Sequence, residues 1–197
     1  MKLQRSLISR MAAMVVMAGV MATSGLAQGP GAGPGPRPGA PGTQVALEPA
    51  TAAEIQWMKF MREEEKLARD VYRFLYEKWN LSVFDRIAGS EQQHFTAVGT
   101  LLTRYKVEDP VAVDTPGVFV DQRLGAMYAE LTAKGAASLK DALEVGVAIE
   151  KADIDDLSKA LLETNKWDLK RVFNNLSAAS FSHLDAFESY LEILAAL

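Results

Sequence analysis

The sequence contains two histidines, His94 and His183, and each lies in a stretch with helical spacing of apolar residues. Glu91 precedes His94 by three residues, so its carboxylate and the imidazole share one face of a helix. A Glu-x-x-His pair that points inward from a bundle helix is half of a two-metal carboxylate site. The tetrapeptide is weak evidence by itself, and other helices must supply the remaining ligands.

Around this pair, apolar residues recur at steps of three and four, which predicts one buried face of an α-helix. The face consists of Phe84, Ile87, Glu91, His94, Val98, Leu101 and Tyr105. Glu91 and His94 therefore interrupt a surface that should be buried. A charged group in such a place costs about several kcal/mol unless it is paired or binds a metal.

Three further stretches show the same spacing, and polar residues interrupt each near its middle. The interrupting residues are Glu65 in a helix that begins at Thr51, Glu150 and Asp153 in a helix that begins near Ser138, and Ser180 and His183 in a helix that follows Trp167. Each helix of roughly 25 residues is about 35–40 Å long. We therefore predict an all-α four-helix bundle, with a long crossover that contains a short helix near residues 119–134.

No Lys or Arg falls on the four apolar faces, so the buried acids need a cation from elsewhere. Bound metal ions would supply it. Carboxylates with two imidazoles and no thiolate suit iron or manganese, and zinc is also compatible. Two plainer interpretations stay open: a single buried His is commonly a core residue bonded to a neighbour, and a single buried Glu commonly pairs with Lys or Arg.

Two positions, Asp153 and Tyr72, allow more than one role. Ser180 stands three residues before His183, where an exactly repeated site would have a second Glu. Asp153 would replace that carboxylate, or it would cap a kink or face solvent. Tyr72 lies on the face of Glu65, where it would bond a ligand or donate an electron, or serve as a core tyrosine.

The other charged residues of the first helix are expected to form its solvated side. They are Glu63, Glu64, Lys66, Arg69 and Asp70. Arg69 would then pair with Glu65 four residues earlier, and replacing Glu64 should have little effect. Thr51 with Glu54 predicts a capping box at the start of the first helix, and Asn80 is its expected end. Ser82, Ser138 and Asp168 are the expected caps of the other long helices.

Residues 1–27 have the composition of a secretory signal peptide, with three basic residues followed by an apolar run too short to span a membrane. A retained membrane anchor is the alternative. Residues 28–50 are rich in Gly, Pro and Ala, which predicts a disordered linker. Residues 51–197 would then be the folded domain of an exported protein, periplasmic or secreted, with no membrane contact after cleavage.

The charge of the chain argues against some partners. The whole sequence carries 21 basic and 25 acidic residues, and without the signal it carries 18 and 25, for a net charge of −7. This balance argues against nucleic acid as a partner and favours cations. The chain has no cysteine, so its stability must come from its core or from a core with bound metal.

Several motifs match known proteins. The segments Glu65–Tyr72 and Ile87–His94 fit the Glu-x-x-Ala-Arg-x-x-Tyr and Glu-x-x-His patterns of rubrerythrin-like proteins. More closely, four segments resemble the bacterial family called domain of unknown function 2202, of the ferritin-like superfamily. These segments are Met61–Tyr72, Ser90–His94, Gly146–Ile154 and Ser180–Leu184. The resemblance covers about residues 51–193.

The resemblance implies a ferritin-like four-helix bundle with a di-iron carboxylate centre. Glu65, Glu91 and His94 match ligands of one half, and Glu150 and His183 match ligands of the other. It further implies ferroxidase or peroxidase chemistry, in which O₂ or hydrogen peroxide oxidises Fe(II). Ser180, where the superfamily usually has Glu, leaves open a metal-binding protein without turnover, or a structural bundle with a vestigial site. A homo-oligomer is compatible with the superfamily, although no sequence feature requires it.

Overall fold

The computed structural model of the protein describes residues 47–197. These residues form five α-helices and no strand, so the all-α prediction is confirmed. The helices are α1 (Ala52–Trp79), α2 (Ser82–Arg104), α3 (Gln122–Gly135), α4 (Leu139–Leu162) and α5 (Trp167–Ala195). The predicted signal peptide and linker residues 28–46 lie outside the described residues. No helix within 47–197 is both long and apolar enough to cross a membrane.

The ends of α1 follow from local sequence. The Thr51 hydroxyl accepts a hydrogen bond from the Glu54 N–H at 3.2 Å, and the Glu54 carboxylate accepts one from the Thr51 N–H at 2.8 Å. This is the predicted capping box, which satisfies backbone donors that have no partner within the helix. At the other end, Asn80 adopts the left-handed conformation with φ 51°, which stops the helix as expected.

The long helices form two hairpins. Two residues join α1 to α2, and a short turn joins α4 to α5, so each pair packs side by side. Contacts of α1 with α4 and of α2 with α5 hold the hairpins together as a four-helix bundle. The crossover from α2 to α4 contains α3, which packs on α1 and α4.

The apolar core is divided into two clusters, one toward each end of the bundle. Each long helix contributes to both clusters and changes from one to the other at its polar middle. On α1, for example, Met58 and Met61 belong to one cluster and Leu67 and Val71 to the other, with Glu65 between them. The polar residues therefore form a layer between two apolar clusters, near the middle of the bundle.

The prediction that the charged residues of α1 form a solvated side is wrong. Glu63, Glu64, Lys66, Arg69 and Asp70 are all 5% exposed or less. The crossover supplies hydrogen-bond partners for all of these side chains except Glu64. Lys66 donates to Asp70 at 2.6 Å and to the Thr115 carbonyl at 2.7 Å.

One further ion pair and two backbone hydrogen bonds attach the crossover to α1. Arg69 binds the carboxylate of Asp114, with contacts of 2.5 and 2.9 Å, rather than the expected Glu65. Glu63 accepts hydrogen bonds from the backbone N–H groups of Val120 and Asp121 at 2.5 and 3.1 Å. Sequence periodicity could not reveal this burial, because a long connection rather than a helix provides it.

Two predicted caps are also misplaced. Ser82 is the first residue of α2 and Leu81 holds the cap position without a side-chain bond. Asp168 lies inside α5, whose cap position is Lys166, and its carboxylate accepts a hydrogen bond of 2.7 Å from Tyr105. Ser138 does cap α4, by accepting from the N–H of Asp141.

Candidate metal centre

Side chains from all four long helices converge at the middle of the bundle. They are Glu65 from α1, Glu91 and His94 from α2, Glu150 and Asp153 from α4, and Ser180 and His183 from α5. The carboxylates of Glu65, Glu91 and Glu150 are almost fully buried, and the two imidazoles are 11% exposed. The histidines are therefore the most exposed of these five side chains, on the side where α2 meets α5.

The first group of converging atoms joins α1 and α2. Nδ1 of His94 lies 2.6 Å from Oε2 of Glu91 and 3.2 Å from Oε2 of Glu65. One ligand atom from each of these three residues lies within 4.8 Å of the others. That separation allows one ion to contact all three.

The second group joins α2, α4 and α5. Nδ1 of His183 lies 2.9 Å from Oε1 of Glu91 and 3.5 Å from Oε2 of Glu150, and these residues also meet the 4.8 Å limit. Glu91 belongs to both groups, with one carboxylate oxygen toward each histidine. The two imidazole rings are stacked, with centroids 5.8 Å apart. The arrangement would suit two adjacent metal ions with one shared carboxylate.

Several ligand-type atoms of the centre have no hydrogen-bond partner among residues 47–197. They are Glu64 Oε2, Glu65 Oε1, Glu91 Oε1, Asp153 Oδ1 and His183 Nδ1. Glu91 Oε1 and His183 Nδ1 nevertheless approach each other to 2.9 Å as an ion pair. Each unsatisfied buried atom costs about 1–3 kcal/mol. Cations held by the two groups would remove that cost for Glu65, Glu91 and His183, so the residues fit a metal centre.

Burial sets the protonation of the outer carboxylates. It raises the pKa of Glu150 to about 7 despite the nearby His183, and raises the pKa of Asp153 to about 7 despite the Ser180 hydroxyl. Burial, followed by the charges of Asp153 and Glu91, also raises the pKa of Glu65 well above its usual value. These groups therefore tend to hold protons when no metal is present.

The shared carboxylate behaves in the opposite way. Burial would raise the pKa of Glu91, but the close approach of His183 and His94 lowers it to about 2. Burial would lower the pKa of His183, but Glu150 and Glu91 raise it to about 9. Within residues 47–197, every salt bridge to Glu65, Glu91 or Glu150 has a histidine as its basic partner. In the metal-free protein, imidazolium therefore provides the positive charge at the centre.

Tyr72 and Ser180 each bind one acid of α4. The Tyr72 hydroxyl donates to Oε1 of Glu150 at 2.6 Å, which leaves Oε2 toward His183. The Ser180 hydroxyl lies 2.5 Å from Oδ2 of Asp153 and 2.9 Å from the Leu176 carbonyl. Asp153 is 6% exposed, so the alternative that it faces solvent is excluded. It does not belong to either group of three converging residues.

Glu64 is a residue that the sequence analysis missed. It is 5% exposed and, with Glu65, Glu91, Glu150 and Asp153, lines a small cavity of about 10 Å³ at the centre. Burial and then the charge of Asp153 raise its pKa well above the usual value. A signal was present: Glu64 lies three residues after Met61 and four before Ala68, both buried. The prediction that it faces water is wrong.

Comparison with known proteins identifies the family. The model of the family described as an uncharacterized protein domain, DUF2202, matches residues 54–195. The chain belongs to the DUF2202 family. The predicted resemblance to this family is thereby confirmed, and the match includes every residue of the two converging groups.

Relatives of this DUF2202 protein include an archaeal chain. Uncharacterized protein MJ0754 of Methanocaldococcus jannaschii is 46% identical over 140 residues, which is 71% of this chain and 76% of that protein. The crystal structure of hypothetical protein MJ0754 from Methanococcus jannaschii has a TM-score of 0.75 at 43% identity, and covers 78% of this chain and 87% of the other.

A second solved structure shares the fold at low sequence identity. The crystal structure of a DUF305 fragment from Deinococcus radiodurans has a TM-score of 0.57 at 15% identity. The match covers 74% of this chain and 99% of that fragment. At this identity the likeness concerns the helical fold alone.

Proposed function

We propose that this DUF2202 protein is a ferritin-like metal-binding protein with a two-metal carboxylate centre. The observation that supports this proposal is that Glu91 faces both histidines. Its two carboxylate oxygens lie 2.6 Å from Nδ1 of His94 and 2.9 Å from Nδ1 of His183. Glu65 would complete the first site and Glu150 the second. Oxygen and imidazole ligands without thiolate favour iron, with manganese or zinc as alternatives.

The proposed activity is oxidation of Fe(II) by O₂ or hydrogen peroxide. Two bound iron ions would supply two electrons, one each. With two protons from solvent, these would reduce O₂ to hydrogen peroxide, or hydrogen peroxide to two molecules of water. Glu91 would hold the two sites together, and Tyr72 would fix the orientation of Glu150. The slightly exposed histidines mark the side from which a small oxidant would approach.

Proton release would accompany loading of this centre. Glu65 and Glu150 have raised pKa values, as do both imidazoles. Ligand atoms must lose their protons before they bind a cation. The residues would therefore exchange protons for metal, and the buried centre would keep its charge balanced in both states.

Metal loading of the purified chain tests this proposal. The protein is prepared without chelator, reduced, and loaded anaerobically with Fe(II), and bound iron is counted per chain. Two irons, followed by growth of near-ultraviolet absorption of Fe(III) on addition of O₂ or hydrogen peroxide, are expected. Absence of bound iron, manganese and zinc would refute the metal centre. A loaded protein that stays Fe(II) with both oxidants would refute the redox activity.

A second candidate function is metal binding without turnover. The observation that favours it is the Ser180–Asp153 contact of 2.5 Å, because Ser180 occupies the place of a carboxylate and also engages an oxygen of Asp153. The second site then has Glu91, Glu150 and His183 as its ligands. One tightly held ion per chain, or zinc that no oxidant changes, would be the result that favours this function.

We also propose that the protein acts outside the cytoplasm, in the periplasm or after secretion. This proposal rests on the basic and apolar pattern of residues 1–27 and on the linker composition that follows. The mass of the mature chain from fractionated cells tests it. Cleavage near Ala27 and recovery outside the cytoplasm are expected, whereas an uncleaved chain in the membrane fraction would indicate a retained anchor.

A further inference from the structure

A large open cleft lies beside the bundle where the crossover passes over α1 and α4. Its volume is about 960 Å³, and we call it the acidic cleft. Its acidic lining residues are Glu63, Glu108, Asp109, Asp121, Asp156 and Glu163, against the basic Lys59, Arg123 and Lys159. A cleft with an excess of one charge raises the local concentration of ions of the opposite sign.

The acidic cleft and the small cavity at the metal centre are lined by successive turns of the same two helices. On α1, Phe60 lines the cleft and Glu64, four residues later, lines the cavity. On α4, Asp156 lines the cleft and Asp153, three residues earlier, lines the cavity. At about 1.5 Å per residue, these steps correspond to roughly 5–6 Å along each helix.

Glu64 and Asp153, the two acids on the cavity side, are buried, and each has a carboxylate oxygen without a hydrogen-bond partner among residues 47–197. Glu64 Oε2 and Asp153 Oδ1 have no hydrogen-bond partner in the described part of the chain. Both residues line the cavity together with Glu65, Glu91 and Glu150, although neither belongs to the two groups that contain histidine. Each of them is thus one helical turn from a residue of the acidic cleft and lines the same cavity as the carboxylates of the centre.

On the cleft side of this step, the lining residue Lys159 carries a positive charge that an arriving cation must displace. Its ammonium group pairs with Asp155 and Asp156, each at 2.7 Å, and it is half exposed. An exposed pair of this kind is weak and exchanges readily. Asp156 can thus release Lys159 in favour of an arriving cation without a change in the fold.

We propose that Glu64 and Asp153 form an auxiliary divalent-cation site, through which cations pass from the acidic cleft to the metal centre. This inference rests on the proposed metal centre. It places cation access at the α1–α4 side of the bundle, opposite the α2–α5 side where the histidines reach solvent. The unpaired oxygens of Glu64 and Asp153 would then bind each cation in transit and not hold one permanently.

The rate of Co²⁺ uptake tests the auxiliary site, because Co²⁺ at carboxylate and imidazole ligands absorbs visible light. Stopped-flow absorption measures the rate on the purified metal-free chain, and equilibrium dialysis counts bound ions. Glu64→Gln should slow uptake about tenfold or more, while the number of ions bound at equilibrium stays that of wild type. Glu77→Gln, an exposed acid on the same helix, should leave the rate unchanged.

Other outcomes are distinguishable. An unchanged uptake rate in Glu64→Gln would overturn the auxiliary site while the metal centre stands. A lower number of bound ions at equilibrium would also overturn it, because Glu64 would then be a ligand of the centre itself. A wild-type chain that takes up no ion would refute the metal centre and this inference together. Asp156→Asn, at the cleft, should also slow uptake, and it decides the matter if Glu64→Gln does not fold.

Discussion

The Tyr72 hydroxyl on α1 donates a hydrogen bond of 2.6 Å to Oε1 of Glu150 on α4, across the middle of the bundle. Both side chains are buried, and the other oxygen of Glu150 lies 3.5 Å from His183. One hydroxyl thus fixes the orientation of a carboxylate in the second group. Tyr72 thus bonds a residue of the proposed ligand set, as one of the predicted roles for it required.

Tyr72→Phe should weaken metal binding about 10–100-fold, because partners that orient a ligand contribute that much to affinity. Competition with a chelator of known affinity measures the change. Tyr105→Phe is the matched control, since it removes a tyrosine–carboxylate bond of 2.7 Å to Asp168 at the end of the bundle. Equal metal affinities for the two variants would show that Tyr72 is only a core residue.

The two histidines should contribute separately. His94→Ala and His183→Ala should each reduce bound metal from about two ions to about one, since each imidazole belongs to a different group. Metal analysis gives the count, and far-ultraviolet circular dichroism should show unchanged helix content. Ser182→Ala, next to His183 but exposed, is the control. Full metal content in both histidine variants would contradict the proposed ligand sets.

The stability of the metal-free protein should fall as pH rises from about 5 to 9. Glu150 and Asp153 have pKa values of about 7 in the folded chain, above 4.5 and 3.8, and His183 has about 9, above 6.5. The folded state therefore binds more protons than the unfolded state in this range, and stability decreases with pH. The low pKa of Glu91, about 2, removes stability only in acid below pH 4.5.

Bound metal should reverse this dependence, because deprotonated ligands bind cations more strongly. The difference in Tm between metal-loaded and chelator-treated protein should widen from pH 5 to pH 8. Thermal scans at constant ionic strength measure it. A metal-free Tm that rises over this interval, or a loaded–free difference that stays constant, would contradict the predicted protonation of the centre.

Gly146 on α4 packs against the ring of Phe187, which also contacts Tyr72. A Cβ at Gly146 would lie 2.7 Å from ring atoms of Phe187, so Gly146→Ala should cost about 1–3 kcal/mol of unfolding free energy. Gly89→Ala is the matched control, because nothing lies within 4 Å of its Cβ position and alanine favours a helix. Denaturant unfolding measures both, and the two changes should have opposite signs.

The Lys66–Asp70 pair should contribute strongly to stability. Its atoms lie 2.6 Å apart, and both side chains are fully buried. Asp70→Asn would leave Lys66 without its charged partner, at a cost of about 3–5 kcal/mol. Thermal unfolding measures the loss, and Asp185→Asn on an exposed face of α5 is the control. A loss below about 1 kcal/mol would show that the crossover compensates for the missing charge.

Much of the fold follows from the sequence. The steps of three and four residues predict four long helices, and the Thr51 box and Asn80 mark the ends of α1 as the structure has them. The same periodicity puts Glu65, Glu91, His94, Glu150 and His183 on buried faces, and the structure brings these five residues together. Helical spacing suffices here because each of these side chains projects from the stripe that packs its own helix into the bundle.

Only the tertiary structure decides which contacts these residues make. The crossover buries Lys66, Arg69 and Asp70 by covering a side of α1 that its sequence marks as charged. The packing of α1 against α4 buries Glu64 beside Asp153 and assigns the Tyr72 hydroxyl to Glu150. Such contacts join residues far apart in the chain. Periodicity reports which face of a helix is apolar, whereas the partner of each polar side chain depends on what the rest of the chain places against it.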